Sequence, residues 1–373
     1  MAKATRYLEV KPLKEGLFLV TDPLGIADDF IVNPLVLQIM LLFDGKRDDE
    51  EVRKEIIRQT GIFIPEEKFK EIVFFFENNS LFLEIHKGDI RDLILKRSQD
   101  LINKGYINSY FEVDSVEFKS FLKLDEINKN GKYKAALVPH LDLRISVEAY
   151  YKAYNELKKD GYPRVFIFGV SHYFHGGLFS VCPLDFKTPL GTLKTDKEVV
   201  INFQSHFDIN PFEYVLSYRK EHSIHFQLPY IKYIFDNSKV VAVLVSYDND
   251  FESVRKELDR FADFISSFYP DSLFISSIDL SHVGEKFGDS SLIDPEKIDQ
   301  QYIDLLLLLN YEESLNFLIK NENITRIDGM LTNYLFLKVL SNLGFTKGNL
   351  ILYDKYFEKT TNSIVSYCSI VYK

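Results

Sequence analysis

RVFIFGVSH, which spans Arg164 to His172, is an apolar run of strand length that ends in a serine and a histidine. Two further apolar runs also lead to a histidine: KAALVPH, Lys134–His140, and SLFISSIDLSH, Ser272–His282. Apolar residues recur at helical spacing over Ile145–Leu157 and Phe251–Phe268, which predicts two helices. Another apolar run, VVAVLV, precedes the second of them. Strands that alternate with helical crossovers predict an α/β domain with a three-layer, mostly parallel or mixed sheet and helices on both faces.

Histidines follow three of these predicted strands, at His140, His172 and His282, and Asp279 follows the last of them. Open sheets bind their ligands at the carboxyl ends of the strands, because the loops converge there. Histidine is the commonest metal ligand and the usual proton carrier near neutral pH. We therefore predict a metal site among the histidines at these strand ends; if His140 and His172 hold the ion, Asp279 and His282 would be outer orienting groups or proton carriers.

A second dense motif is EHSIHFQLPY, Glu221–Tyr230. His222 and His225 are three residues apart and would share a face of a helix. We expect His222 to be a third ligand or an acid/base group beside the metal, whereas His225 could point to solvent. Glu221 could orient an imidazole from outside the metal sphere, or it could simply favour the helix N-terminus.

Two charged residues, Asp142 and Arg144, come directly after His140 in the chain. Their place near the predicted site suggests that they bind an anionic group of a substrate. The alternative is that they form a structural ion pair with each other.

The composition limits the classes of function that the chain can have. Its 373 residues carry a formal net charge of −10, so no global positive field exists to bind nucleic acid. No apolar run approaches the ~20 residues of a bilayer span, and the N-terminus lacks the apolar core of a signal peptide. We expect a soluble cytoplasmic protein that binds neither nucleic acid nor membrane, with Cys182 and Cys368 as buried thiols.

The N-terminal 90 residues differ in pattern from the rest of the chain. A strand pair flanks Gly16, helices follow at Pro34–Phe43, Asp48–Thr60 and after Pro65, and LFLEIH would close the unit as a strand. Twelve basic against seventeen acidic residues argue against DNA binding by this α+β unit. We predict a small winged-helix-like domain at 1–90, a polar connector at 91–130 and the α/β domain at 131–373.

Five motifs in the second region resemble the Memo family, in particular AmmeMemoRadiSam system protein B. They are LVPHLDLR (137–144), FGVSH (168–172), DFKTPLGTLKTDKEVV (185–200), EHSIHFQLPY (221–230) and SSIDLSHVGEKFGD (276–289). The N-terminal unit resembles the PqqD-type domain, which binds peptides in its relatives. The resemblance implies a fold like that of the LigB-type extradiol dioxygenases, with His140, His172 and His222 lining a pocket for non-haem iron.

The family also carries a pocket cysteine, and this chain has none at the corresponding place. NITRIDGMLTNYL, Asn323–Leu335, holds Thr325 near the expected position and Asp328 three residues later. If Asp328 turns inward, it would complete a two-histidine, one-carboxylate set for Fe(II) or, alternatively, another divalent metal or copper. If it does not, it would cap the helix that follows Gly329.

Two functions follow from the resemblance. The first is a metal-dependent oxidoreductase, dioxygenase-like, with an unknown substrate. The alternative is a non-catalytic or partner-dependent component of the AmmeMemoRadiSam system, which would bind AMMECR-like and radical-SAM proteins and a peptide at the N-terminal domain.

Overall fold

The computed structural model describes residues 2–82, 87–128, 130–159, 161–173, 177–246 and 250–373, without the side chains of residues 87–93. The chain divides into two compact units, Met1–Lys104 and Gly105–Lys373. The sequence-based bounds at 90 and 130 stay a prediction.

The first unit begins with a three-stranded antiparallel sheet in the order β1-β2-β3. Its elements are β1 (Glu9–Pro12), β2 (Phe18–Thr21), β3 (Phe30–Val32), α1 (Pro34–Leu42), α2 (Asp49–Thr60), α3 (Glu66–Asn78) and α4 (Lys87–Lys104). The predicted strand pair and the first three helices are confirmed. Asn33 caps α1 through its side chain, and Asp48 closes a capping box with Glu51 at the start of α2.

Helix α4 was not expected, because the sequence was interpreted there as a polar connector. Its lysine, arginine, glutamine and leucine residues are good helix formers, so a polar helix is favoured without a strong apolar stripe. The predicted closing strand, LFLEIH, lies largely outside the described residues.

The second unit is built on an eight-stranded mixed sheet in the order β12-β14-β5-β11-β6-β10-β7, with β13 paired to β14. Its strands are β5 (Ala135–Val138), β6 (Arg164–Val170), β7 (Phe179–Val181), β10 (Lys239–Val245), β11 (Leu273–Ser277), β12 (His282–Gly284), β13 (Gly348–Glu358) and β14 (Ser363–Tyr372). A second sheet contains β4 (Tyr106–Ile107), β8 (Asp185–Thr188) and β9 (Gly191–Leu193). The mixed α/β class predicted from the sequence is confirmed.

Helices connect and cover these strands. They are α5 (Ser115–Phe121), α6 (Leu143–Glu156), α7 (Lys197–Phe207), α8 (His222–His225), α9 (Leu228–Ile234), α10 (Phe251–Phe268), α11 (Glu296–Leu307), α12 (Tyr311–Lys320) and α13 (Met330–Asn342). The predicted helix at 251–268 is confirmed, and Cys182 and Cys368 are buried thiols as expected. None of the helices in the described ranges combines the length and apolar character that a membrane span requires.

Four neighbouring strands, β5, β11, β6 and β10, run parallel at the centre of the main sheet. Their carboxyl ends therefore meet at one edge. This edge carries His140 after β5, Asp279 after β11 and His172 after β6, so sheet topology brings together residues that are far apart in sequence.

Candidate metal centre

Three histidines converge at this edge: His140, His172 and His222. One ring nitrogen from each lies within 4.8 Å of the others. The ring centroids are 5.1 Å apart for His140 and His172, 5.0 Å for His140 and His222, and 4.3 Å for His172 and His222. His222 is the first residue of the short helix α8.

His140 is held by the neighbouring strand. Its Nδ1 lies 3.0 Å from the carbonyl oxygen of Ser277, which can only accept, so Nδ1 donates there and Nε2 faces the cluster. The Asp279 carboxylate accepts hydrogen bonds from the backbone N–H groups of His140, at 2.9 Å, and Leu141, at 3.1 Å. Asp279 therefore fixes the backbone at His140.

His172 is oriented by Glu221, whose side chain is fully buried. Glu221 accepts a hydrogen bond from His172 Nδ1 at 2.7 Å and another from the His172 backbone at 2.9 Å. The same carboxylate also accepts from the backbone N–H of Ser223 at 3.1 Å and so caps α8. Both roles that the sequence left open for Glu221 are thus present.

Electrostatics at this pair match the geometry. Burial alone would raise the pKa of Glu221, but the nearby His172 outweighs it and lowers the pKa to about 2. Burial would lower the pKa of His172, but Glu221 outweighs it and raises the pKa. The carboxylate is therefore ionised, and the imidazole holds its Nδ1 proton toward it.

The pKa of His222 is shifted in the opposite direction to that of His172. Burial lowers its pKa well below the ordinary value, and the neighbouring His172 and His140 lower it further. Its Nδ1 lies 3.3 Å from the hydroxyl of Tyr173. The ring is thus a neutral imidazole, which is the form that binds a metal.

Asp328 turns inward to the cluster. Its Oδ2 atom lies 2.9 Å from Nε2 of His140 and 3.8 Å from Nε2 of His172. This oxygen is buried, and no donor in the described residues is aligned to hydrogen-bond it. The alternative capping role is not observed, because Gly329 stands at the N-cap of α13 and no side chain caps that helix.

The loop before α13 positions Asp328 by antiparallel contacts with residues 280–282. The N–H of Asp328 donates to the carbonyl of Leu280 at 3.2 Å, and the N–H of His282 donates to the carbonyl of Thr325 at 2.7 Å. The Asn323 amide binds both the N–H and the carbonyl of Ile327, each at 2.8 Å. These contacts join distant segments, and sequence reasoning did not identify them.

The other predicted residues lie around the cluster rather than in it. Asp142 and Arg144 pair with each other, with Arg144 Nε 2.9 Å from Oδ1, and the Arg144 side chain is 82% exposed. They thus form the ion pair that the sequence left as the alternative, and their substrate-binding role stays a prediction. His282 directs Nδ1 to the carbonyl of Leu280 at 2.9 Å, which leaves it outside the three-histidine group.

His225 does not point to solvent, so that expectation was wrong. It is buried, with Nε2 2.9 Å from the carbonyl of Tyr218. Burial lowers its pKa to about 4, and its contact marks it as a structural histidine.

Gln227 supports the cluster and was missed by the sequence analysis. Its buried carboxamide donates to the carbonyl of Pro139 at 2.8 Å and to the hydroxyl of Ser277 at 2.8 Å, and it accepts from Tyr154 at 3.0 Å. The one available signal was a glutamine inside an otherwise apolar segment, HFQLPY. This amide ties together the two strand ends that hold His140.

The donor groups fit a metal ion. The Nε2 atoms of His140 and His172 are free of hydrogen bonds to carbonyls, and Asp328 adds an oxygen without an aligned partner. Metal bonds from histidine nitrogen and carboxylate oxygen are about 2.0–2.2 Å, so two donors on one ion lie roughly 3–4 Å apart. The 2.9 Å and 3.8 Å separations from Asp328 Oδ2 lie at or near this range.

Comparison with known proteins gives consistent results. A family model described as Memo-like protein matches residues 109–371. A MEMO1 family protein of Aquifex aeolicus is 39% identical over the full length of both chains. Another, from Thermus thermophilus, is 28% identical over 75% of this chain and 86% of its own. An uncharacterized Escherichia coli protein of known structure, 12% identical, covers 64% of this chain and 99% of its own with a TM-score of 0.35, which is too low to support an argument.

Proposed function

This chain belongs to the Memo-like protein family, and on that premise we propose that it is a metal-dependent protein whose ion is held by His140, His172, His222 and Asp328. One observation carries the proposal. Two imidazoles are held through Nδ1 so that Nε2 faces the cluster, and a buried carboxylate oxygen without an aligned donor lies 2.9 Å from the Nε2 of His140. A buried anionic oxygen is costly unless a cation offsets its charge.

We further propose that the ion is Fe(II), with another divalent metal or copper as the alternative. Nitrogen and carboxylate donors with open positions are the arrangement used by non-haem iron oxygenases. When bound, such an ion supplies Lewis acidity and a place for oxygen or a substrate oxygen. The reaction class would be a dioxygenase-like oxidoreductase of the LigB type, with an unknown substrate.

The chain's own residues prepare this site. Glu221 and the Ser277 carbonyl hold the Nδ1 protons of His172 and His140, which fixes the tautomer that presents Nε2. Asp279 fixes the backbone at His140. His222, whose pKa is lowered by burial, is neutral and serves as third ligand or as proton acceptor at Nδ1, beside the Tyr173 hydroxyl.

The test is metal analysis of anaerobically purified protein. We expect one metal equivalent in the wild type and less than a tenth of that in a His140→Ala, His172→Ala double variant. His206→Ala removes an exposed histidine of α7 and is the matched control, with unchanged metal content. Equal content in the wild type and the double variant would overturn the proposal.

A second candidate function is that of a partner-binding component. Large apolar side chains of the first unit are exposed, including Phe63 at 74% and Phe74 at 62%. Exposed apolar groups of this kind favour docking of a peptide or a partner protein, for which AMMECR-like and radical-SAM proteins are our candidates. Co-elution of the purified proteins supports this function, and turnover by the chain alone with no co-elution opposes it.

A further inference from the structure

A cavity of about 100 Å³ lies beside the histidine cluster and shares Asp328 with it. Its walls come from the carboxyl ends of β6 and β10, at Val170 and Val245, and from the start of α13, at Leu331. Ile327 lines it from the loop that carries Asp328. The cavity therefore lies at the same edge of the sheet as the proposed metal.

The character of this cavity is mainly apolar. Val245, Ile327 and Leu331 are each at most 3% exposed and contribute hydrocarbon side chains. Ser246, Thr332 and Asn323 also line it, and the Asn323 amide already binds the backbone of Ile327 through both of its polar atoms. These walls therefore favour an aliphatic group, because its burial removes apolar surface from water.

The volume restricts what can enter. An apolar cavity of about 150 Å³ holds a benzene molecule, so roughly two-thirds of that space accommodates about three or four carbons and no aromatic ring.

From these observations we infer that the cavity is a side-chain subsite for a small oxygen-bearing ligand with a short aliphatic substituent, such as a branched 2-hydroxy acid. The inference rests on the metal function proposed above. The ligand's oxygens occupy open positions on the ion next to Asp328, and its substituent of about three or four carbons lies against Val170, Val245 and Leu331. Asp328 borders both parts of the site, because it lines the cavity and its carboxylate lies beside His140.

The test uses protein loaded with one equivalent of Co(II), whose visible absorption reports ligand binding. Three probes share one chelating head and differ in the substituent: glycolate has none, 2-hydroxy-3-methylbutanoate has an isopropyl group, and 3-phenyllactate has a benzyl group. Burial of the isopropyl carbons should make the second probe bind about tenfold to fiftyfold tighter than glycolate. The benzyl probe should bind no tighter than glycolate.

Leu331→Ala enlarges the cavity and should improve binding of 3-phenyllactate at least tenfold relative to 2-hydroxy-3-methylbutanoate. Leu335→Ala is the matched control, since Leu335 is fully buried one turn further along α13 and does not line the cavity. If Leu331→Ala fails to fold, Val170→Ala, at a half-buried position, gives the same comparison.

The outcomes separate the two claims. Stoichiometric Co(II) binding with equal affinities for the three probes, or with the benzyl probe tightest in the wild type, would overturn the subsite and leave the metal function intact. Failure of the wild type to bind Co(II) would overturn the metal function and this inference with it.

Discussion

Replacement of Glu221 by glutamine should weaken metal binding while the chain still folds. The glutamate accepts three hydrogen bonds: from His172 Nδ1, from the His172 backbone and from the Ser223 backbone. A glutamine has the same shape but only one side-chain oxygen. Its NH₂ group must therefore replace one of the two carboxylate oxygens that accept these hydrogen bonds.

Each orientation of the glutamine has a defined consequence. If NH₂ faces the His172 backbone, two donors meet, and the unpaired buried groups cost about 1–3 kcal/mol. If it faces Nδ1, the imidazole must accept there, which moves its proton to Nε2 and removes the lone pair that binds the ion. Loss of such an outer carboxylate typically weakens metal affinity about 10- to 100-fold, or roughly 1.4–2.7 kcal/mol.

The assay is a competition titration of Co(II) between the protein and a chelator, with thermal unfolding of the metal-free protein recorded in parallel. Asp196→Asn is the matched control, because Asp196 is a buried carboxylate paired with Arg164 at 2.9 Å, at the opposite ends of the strands. It should lower stability and leave the Co(II) affinity unchanged. An affinity of Glu221→Gln within threefold of the wild type would refute the role of this carboxylate.

Further predictions concern pH, packing and the support of the cluster. Burial lowers the pKa of His140, but the carboxylates around it outweigh this and raise it to about 9. Metal must therefore displace a proton, and Co(II) affinity should rise about tenfold per pH unit between pH 6.5 and 9 and then level off. The metal-free protein should lose the stability from this raised pKa as the pH increases through 9, since that contribution is complete only below the unfolded value of 6.5. A flat affinity profile would contradict this. Gly329→Ala should destabilise the fold by about 2 kcal/mol or more in urea unfolding, because its φ is +62° and a Cβ would lie 2.4 Å from the Ile278 side chain. A Gly329→Ala variant as stable as the wild type would contradict this steric argument. Gln227→Leu should lower the free energy of unfolding by about 2 kcal/mol or more, because the two hydrogen bonds to the strand ends at His140 are lost. The same loss should shift the visible absorption spectrum of bound Co(II). An unchanged spectrum would show that the amide supports only the fold.

Much of the local structure could be predicted from the sequence. The strand RVFIFGV and the helix Phe251–Phe268 were predicted because apolar runs and helical spacing depend on neighbouring residues. Helix α4 was missed because its polar composition carries a weak periodic signal.

At the candidate site, the sequence by itself identified His140 and His172 from their places after predicted strands, and His222 from the EHSIHFQLPY motif and the family resemblance. It could not determine what each of them touches. The backbone of His140 is held by Asp279, 139 residues away, and His172 is oriented by Glu221, 49 residues away. Asp328 had two local interpretations, as ligand or as cap, and only the packing of its loop against residues 280–282 turned it toward His140. Such contacts depend on which strands become neighbours, and that is decided by the tertiary fold and not by the residues beside them in the chain.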